Sequence, residues 1–387
     1  MRSTLTLSAA IPVAAFLAAG LFAASPALAQ SQAVKTVPTS AGPVAVSRFA
    51  DGLERPWGIE FLPDGRALVT EKPGRLRIMA RDGSLSAPLT GTPKVFNQGQ
   101  GGLMDVAADP DFARNRAVYL AYAEPGEGSG GGGTAGTALG RGTLGEHGIE
   151  DFQVIFRQSP KVDGGNHFGT RIAFAPDGHI FLTLGERYKF DPAQKRDNTL
   201  GKVVRLNRDG SLPQDNPFAG EGRTAGAIWS YGHRNIEAAA IDPRTGALWI
   251  GEMGPLGGDE LNRPEAGRNY GWPVVSWGKH YDGRDIPDPP TRKEFADAAV
   301  HWTPVISPSG MVFYTGGLFR DWQGSALLGG LSAKGLVRVA IDGTRAKEVE
   351  RIPLDARIRD VAQGPDDALY VITDAADGAV LRLAPAK

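Results

Sequence analysis

Histidine is scarce in this chain, six in 387 residues, and one of the six is surrounded by small residues. His167 follows Gly164, Gly165 and Asn166 and precedes Gly169, just ahead of an apolar hairpin. An imidazole titrating near 6.5 suits general-base work, and glycines let a ligand approach closely. Taken alone, the residue is also described by a loop histidine bonded to a backbone carbonyl. Three other stretches carry chemistry. In "WSYGHRNIEAAA", residues 229–240, His233, Arg234 and Asn235 stand directly before an apolar run. Such donors suit an anionic or carbonyl-rich ligand, or else a basic surface turn. Residues 251–273 combine Glu252, Asp259 and Glu260 with Gly-Pro and Gly-Gly steps that free backbone carbonyls. Hard oxygens of this kind are what Ca²⁺ prefers, although solvated loop acids have the same composition. With no cysteine and no histidine pair at zinc-like spacing, nothing in the sequence points to a zinc site. Finally, Arg357 and Arg359 alternate and so face the same side of a strand, where they call for an anion or a cluster of acids, unless water alone solvates them.

These residues stand beside a repeated phrase. An apolar strand, a turn written Asp-Pro or Pro-Asp-Gly, and a second apolar strand recur from Trp57, Gly102, Gly169, Ile236 and Ile358, with a degenerate copy from Gly310. Asp64, Asp109, Asp177, Asp242 and Asp366 mark five of the six turns. Between copies there is room for two further strands, such as "GRLRIMA" from Gly74 and "GLVRVAI" from Gly335. Four strands repeated six times predict an all-β, six-bladed β-propeller of four-stranded antiparallel blades. In that architecture the residues just ahead of each inner strand ring one mouth of the central channel. The strand near residues 44–49 is expected to pair with the last blade and close the ring.

The first 29 residues read as a cleaved signal peptide: a positive start, an apolar stretch, and Ala27-Leu28-Ala29 as the cleavage site. The chain is therefore expected to be exported to the periplasm. Residues 30–42 read as a flexible start, and residues 43–387 as one propeller domain. The Gly-rich stretch at residues 124–136 reads as a mobile loop. A net charge of −1 from 42 basic and 43 acidic residues leaves no nucleic-acid footprint. No later segment is apolar enough to span a membrane.

Seven phrases, in order, carry a family resemblance: "GQGGLMDVAADPDF", "NHFGTRIAFAPDG", "LGKVVRLNRDGSLPQDNPF", "WSYGHRN", "GPLGGDELNRPEAGRNYGWP", "SPSGMVFY" and "RIRDV". Together they make the chain resemble the soluble, quinone-dependent sugar dehydrogenases, and "NHFG" and "SPSGM" are closer to the aldose sugar dehydrogenase branch. The resemblance implies pyrroloquinoline quinone and Ca²⁺ on the propeller axis. The reaction it implies is oxidation of an aldose at C1 to a lactone, by hydride transfer to the quinone. His167 matches the catalytic base. Arg234, which also helps hold the developing oxyanion, and Asn235 match a cofactor-binding pair. Gln100 matches a glutamine beside cofactor and base, and Arg357 and Arg359 match arginines for the cofactor's carboxylates. Gly254 and Pro255 match the residues whose carbonyls hold Ca²⁺. Glu260 and Tyr270 resemble part of a second, structural Ca²⁺ site.

The chain departs from the family at several of these positions. The family's cofactor lysine falls near Ser332, with Lys334 two residues on as its stand-in. Arg187 stands where soluble glucose dehydrogenases carry a glutamine near the cofactor, and is read as a cofactor ligand in its place. Ile236, Glu237 and Met253 are further departures, all bearing on cofactor affinity. The implied partners are an aldose and an electron acceptor, with no nucleic acid and no membrane span, in a monomer or homodimer. Two other readings share the fold. One is an exported propeller lactonase, for which Arg234, Arg357 and Arg359 have no evident use. The other is a non-catalytic propeller binding a sugar or a protein.

Overall fold

The computed structural model describes residues 33–126 and 133–386. The expected signal peptide and the centre of the Gly-rich loop lie outside the described residues. Six sheets, all antiparallel, follow one another along the chain. Their inner strands are Pro56–Phe61, Leu103–Ala108, Gly169–Phe174, Ile236–Ile241, Pro308–Phe313 and Ile358–Gln363. Each packs against the next around one axis, and the sixth meets the first. The expected hairpins are these inner strands with their partners. All five turn aspartates, Asp64, Asp109, Asp177, Asp242 and Asp366, accept the backbone N–H two residues on. This local bond is why aspartate marks the turns.

Burial on both faces distinguishes the second strand of a blade. Ala67–Glu71, Ile180–Leu184, Leu248–Glu252 and Ala326–Gly330 are buried at every residue. They therefore read as largely apolar runs, interrupted by Thr70, Glu71, Thr183 and Glu252, rather than as alternating ones. Six of the apolar clusters lie between adjacent blades. Leu68 and Leu76 of the first blade meet Leu103 and Val118 of the second; Val69 meets Ile372 and Val380 of the sixth on its other side. Each such side chain contributes about 1.5–3 kcal/mol by leaving water, so blades are held mainly by their neighbours.

Four blades have four strands each. In the first, the third strand Arg75–Met79 pairs with Ala67–Glu71 but has no full partner on its outer edge; a single bridge from Leu85 to Met79 stands there, and Pro88 and Pro93 break the run that follows. The ring closes as expected. Gly42–Leu53 pairs with the C-terminal strand Gly378–Pro385, Val44 lying opposite Pro385. The start of the chain differs from its reading as a flexible segment. Ala33–Thr39 forms a fifth strand on the edge of the last blade. Lys35 pairs with Asp355 at 2.7 Å, and Ser40 bonds Glu350. Charged tethers hold a segment whose composition carries little apolar signal.

Candidate active site

The residues singled out in the sequence gather where the inner strands begin. His167 directly precedes the strand Gly169–Phe174 and is buried. Its Nδ1 lies 2.6 Å from Glu186 Oε1, and its N–H donates to Gln100 Oε1 at 2.6 Å. Burial pushes the His167 pKa below the ordinary imidazole value; the Glu186 hydrogen bond opposes this and the Arg234 charge adds to it. The ring is therefore neutral near pH 7, with Nδ1–H donated to the carboxylate and Nε2 left as the basic nitrogen. Glu186 is itself fixed by the N–H groups of Lys189 and Phe190. His167, Arg187, Tyr188 and Phe190 all have φ between 53° and 63°, a conformation that only a well-braced site retains.

The glycines around His167 divide into two kinds. Gly164 is open, but a Cβ on Gly169 would lie 2.7 Å from Gly185 N, and one on Gly185 would lie 2.1 Å from the His167 carbonyl oxygen. These two serve backbone packing against the base, not access for a ligand. Arg187 likewise turns to the loop. Its guanidinium donates to the carbonyls of Asn166, Ala135 and Gly164 and lies 3.7 Å from the Phe168 ring centroid. A fork spent on three carbonyls braces the loop carrying His167 rather than reaching for a ligand.

Charge is concentrated at the same mouth. Arg359 Nη1 pairs with Glu237 at 2.6 Å, and Arg359 and Arg357 share the Asp374 carboxylate. Their alternation does put both on one side, and acids meet them there. Glu237 also accepts from Asn235 Nδ2 at 3.0 Å, while Asn235 Oδ1 accepts the Gly169 N–H at 3.2 Å. The chain Arg359–Glu237–Asn235 thus runs to the backbone beside His167. Lys72, whose ammonium donates to the Gly99 carbonyl at 2.8 Å, feels the charges of Arg359, Asp374 and Glu237; desolvation lowers its pKa. Arg234 is buried, has no carboxylate partner among the described residues, and its Nε has no hydrogen-bond partner. Four cationic groups against two carboxylates fit an anionic ligand. Lys334, by contrast, is exposed in the turn between Ala326–Gly330 and Gly335–Asp342, and Ser332 bonds Ser307 at 2.6 Å.

The calcium readings meet two differences. Arg234 Nη1 donates to the Met253 and Gly254 carbonyls at 2.9 and 2.7 Å. Two carbonyl oxygens therefore converge on a cation, but the cation is a guanidinium and the second carbonyl belongs to Met253, not Pro255. Asp259 is spent on the N–H groups of Gly254 and Ser307, and burial pushes its pKa up to about 6. A metal at these carbonyls would need Arg234 to withdraw and an anionic ligand to complete its shell. No hydrogen bond joins Glu260 and Tyr270. Glu260 bonds Asn262 at 2.9 Å, and burial beside Glu252 raises its pKa well above the usual value. Tyr270 donates to the Arg263 carbonyl at 2.7 Å and stacks on His233, which holds Glu252 at 2.9 Å. Asn262 Oδ1 is buried without a partner. Two carboxylates and a free amide oxygen fit a cation, although no group of three or more His, Cys, Asp or Glu is arranged for one among the described residues.

Two features were missed by sequence reasoning. Glu186 follows Gly185 at the end of Ile180–Leu184, and its position across the hairpin from His167 was the available signal. The other is an aromatic cavity of about 240 Å³ beginning at Arg234 and Pro255. A series of ring contacts connects the base to it: His167 to Tyr188 at 5.2 Å, Tyr188 to Phe190 at 5.2 Å, Phe190 to Trp272 at 5.5 Å. Tyr281, 60% exposed, accepts from Arg234 Nη2 at 3.1 Å. A second cavity of about 280 Å³ lies along the later halves of the inner strands, lined by Glu60, Asp105, Arg171 and Asp360 and by none of the residues singled out above.

The six-bladed propeller that carries this mouth is that of a family of oxidoreductases. Residues 53–382 match the glucose/sorbosone dehydrogenase family, and the chain belongs to it, among the soluble quinone-dependent sugar dehydrogenases. It is 41% identical over 369 residues to the aldose sugar dehydrogenase YliI of Escherichia coli, covering 93% of this chain and 97% of that one. The apo-form structure of the soluble aldose sugar dehydrogenase of Escherichia coli superposes with a TM-score of 0.83 at 42% identity, over 89% of this chain and all of that one. The PQQ-bound aldose sugar dehydrogenase of Streptomyces coelicolor is similar at a TM-score of 0.69 and 27% identity, over 88% and 98% of the two chains. Among the described residues, no helix is long and apolar enough to cross a membrane.

Proposed function

We propose that this chain is a pyrroloquinoline quinone- and Ca²⁺-dependent enzyme that oxidises aldoses at C1 to lactones in the periplasm. The observation that carries the reading is the 2.6 Å contact between Glu186 and His167 beside the unpaired cation Arg234. When bound, the quinone supplies a two-electron acceptor, chemistry that no side chain provides. Gln100, Asn235, Arg234, Arg357 and Arg359 would hold it, with Lys72 rather than Lys334 supplying the amine. Ca²⁺ would sit against the carbonyls of Gly254 and Pro255 once Arg234 withdraws from Gly254, and a second ion against Glu260.

His167 Nε2 takes the proton of the C1 hydroxyl, and Glu186 stabilises the imidazolium that results. Arg234 faces the oxygen on which negative charge develops. The aromatic cavity beside Arg234 receives the apolar face of the sugar and keeps water from the reacting carbon. Arg187 holds the His167 loop still.

The test is reconstitution. Purified protein given the quinone and Ca²⁺ should reduce an artificial dye acceptor with aldoses and not without them. No dye reduction across a panel of aldoses, with hydrolysis of sugar lactones instead, would favour the lactonase.

A further inference from the structure

One buried side chain reaches every other blade. Arg171 is the third residue of Gly169–Phe174, in the third blade, and is 4% exposed. Its guanidinium lies 4.1 Å from the ring centroid of Trp57 in the first blade. Nη1 pairs with Asp105 of the second blade at 2.9 Å and with Asp360 of the sixth at 3.0 Å. Nε donates to the Glu237 carbonyl of the fourth blade at 2.7 Å; Nη2 donates to the Ser309 carbonyl of the fifth and, at 3.0 Å, to the Arg359 carbonyl of the sixth. The two carboxylates are tied in turn to backbone, Asp105 to the Ile172 N–H at 2.8 Å and Asp360 to the Ile59 N–H at 3.0 Å.

Stability alone explains this hub poorly, because a buried ion pair gains little over apolar packing of the same volume. A planar fork with fixed donor directions does impose geometry. Two of the carbonyls it fixes belong to Glu237 and Arg359, whose side chains pair at 2.6 Å and extend the network to Asn235.

We propose that Arg171 is a positioning residue for the axial site: through the Glu237 and Arg359 carbonyls it holds both strands at one height, so that the Arg359 guanidinium is in register to meet a quinone carboxylate on leaving Glu237. This rests on the cofactor reading above. Lysine retains the charge but offers no planar fork, so Arg171→Lys is the informative change. Leu139→Ala, in the packing between the second and third blades, is the control for lost stability.

Quinone affinity of the unloaded protein is read by fluorescence titration. Arg171→Lys should weaken binding roughly tenfold or more, while Leu139→Ala, matched in melting temperature, should bind as the unmutated protein does. If Arg171→Lys does not fold, Asp105→Asn, which keeps the shape and loosens the grip, should weaken binding severalfold. Folded Arg171→Lys, or Asp105→Asn in its place, that binds within twofold of normal overturns the proposal. A parent protein that binds no quinone overturns the cofactor reading instead. The hub is then judged from the variant's crystal structure, where an unchanged Glu237–Arg359 separation overturns it and a displaced pair upholds it.

Discussion

Glu186 lies 2.6 Å from Nδ1 of His167 and so decides which nitrogen of the ring is basic. Burial and the Arg234 charge lower the pKa of this histidine, and Glu186 raises it. At neutral pH the ring is unprotonated, and only Nε2 is free to take a proton. His167→Ala should cost about 10²–10⁴-fold in turnover, the usual range for a general base, with quinone affinity little changed. A variant with near-normal turnover would remove His167 from the reaction.

Glu186→Gln keeps the shape of the contact and removes the charge. With the raising influence gone, the His167 pKa should fall further, and the acid limb of the kcat/KM profile should move to lower pH. The plateau should drop as well, because the imidazolium loses its partner. A pH–rate profile measures both; an acid limb that moves upward would mean another group controls it.

Calcium and Glu260 are linked by sign. Burial makes ionised Glu260 costly in the metal-free fold, so Glu260→Gln should raise the melting temperature without Ca²⁺. The same change should shrink the rise that Ca²⁺ produces, since an ion bound only by the native state stabilises it. Thermal melts with and without the ion test this, and an undiminished Ca²⁺ response in Glu260→Gln would take that carboxylate out of the ligand set. Exhaustive chelation should also abolish activity.

On the proposed reading, the quinone would have to draw Arg359 away from Glu237, with which it pairs at 2.6 Å. Arg359→Ala should weaken quinone binding about ten- to a hundredfold, the worth of one charged hydrogen-bond partner. Glu237→Gln should strengthen it severalfold by releasing positive charge. Calorimetric titration reads both, and unchanged affinity in Arg359→Ala would mean that this strand faces something other than the cofactor.

Glu60, beside the second cavity, has its pKa pushed up to about 8 by desolvation, despite the Ala108 N–H it accepts; Asp105 and Asp360 add to the rise. A carboxyl with a raised folded pKa binds more protons folded than unfolded, so its contribution to stability is complete below its ordinary value and lost as pH rises through about 8. Melting temperature should therefore fall more steeply between pH 5 and pH 8 in the parent than in Glu60→Gln, over a range of roughly three units. Parallel curves would assign the dependence elsewhere.

The blade count was legible because each repeat announces itself locally: an apolar run, an aspartate bonding two residues on, and a second apolar run. His167, Arg234, Asn235, Arg357 and Arg359 were legible because each stands next to an inner strand. What joins residues across blades was not. Glu237 stood out only as a departure, and its partner Arg359 is 122 positions away. Arg171 looks in the sequence like one charge in an apolar strand, and its role depends on the other five blades meeting on the axis. Lys72 lies in a turn of the first blade and reaches the site only once the ring is closed. Arg187 was read as a ligand group because its place beside the site was evident, whereas the direction of its guanidinium is set by carbonyls that the fold brings together.

The central claim is that His167 removes the hydroxyl proton of an aldose while C1 gives up its hydrogen. The direct measurement is a single turnover without dye: protein loaded with the quinone and Ca²⁺ is mixed with an aldose carrying either hydrogen or deuterium at C1, and the absorbance of the bound cofactor is followed. The expected result is reduction in one turnover, slowed by C1 deuterium, with a lactone as product. Failure of every aldose to reduce the cofactor, or a rate that neither deuterium nor His167→Ala alters, would contradict the account.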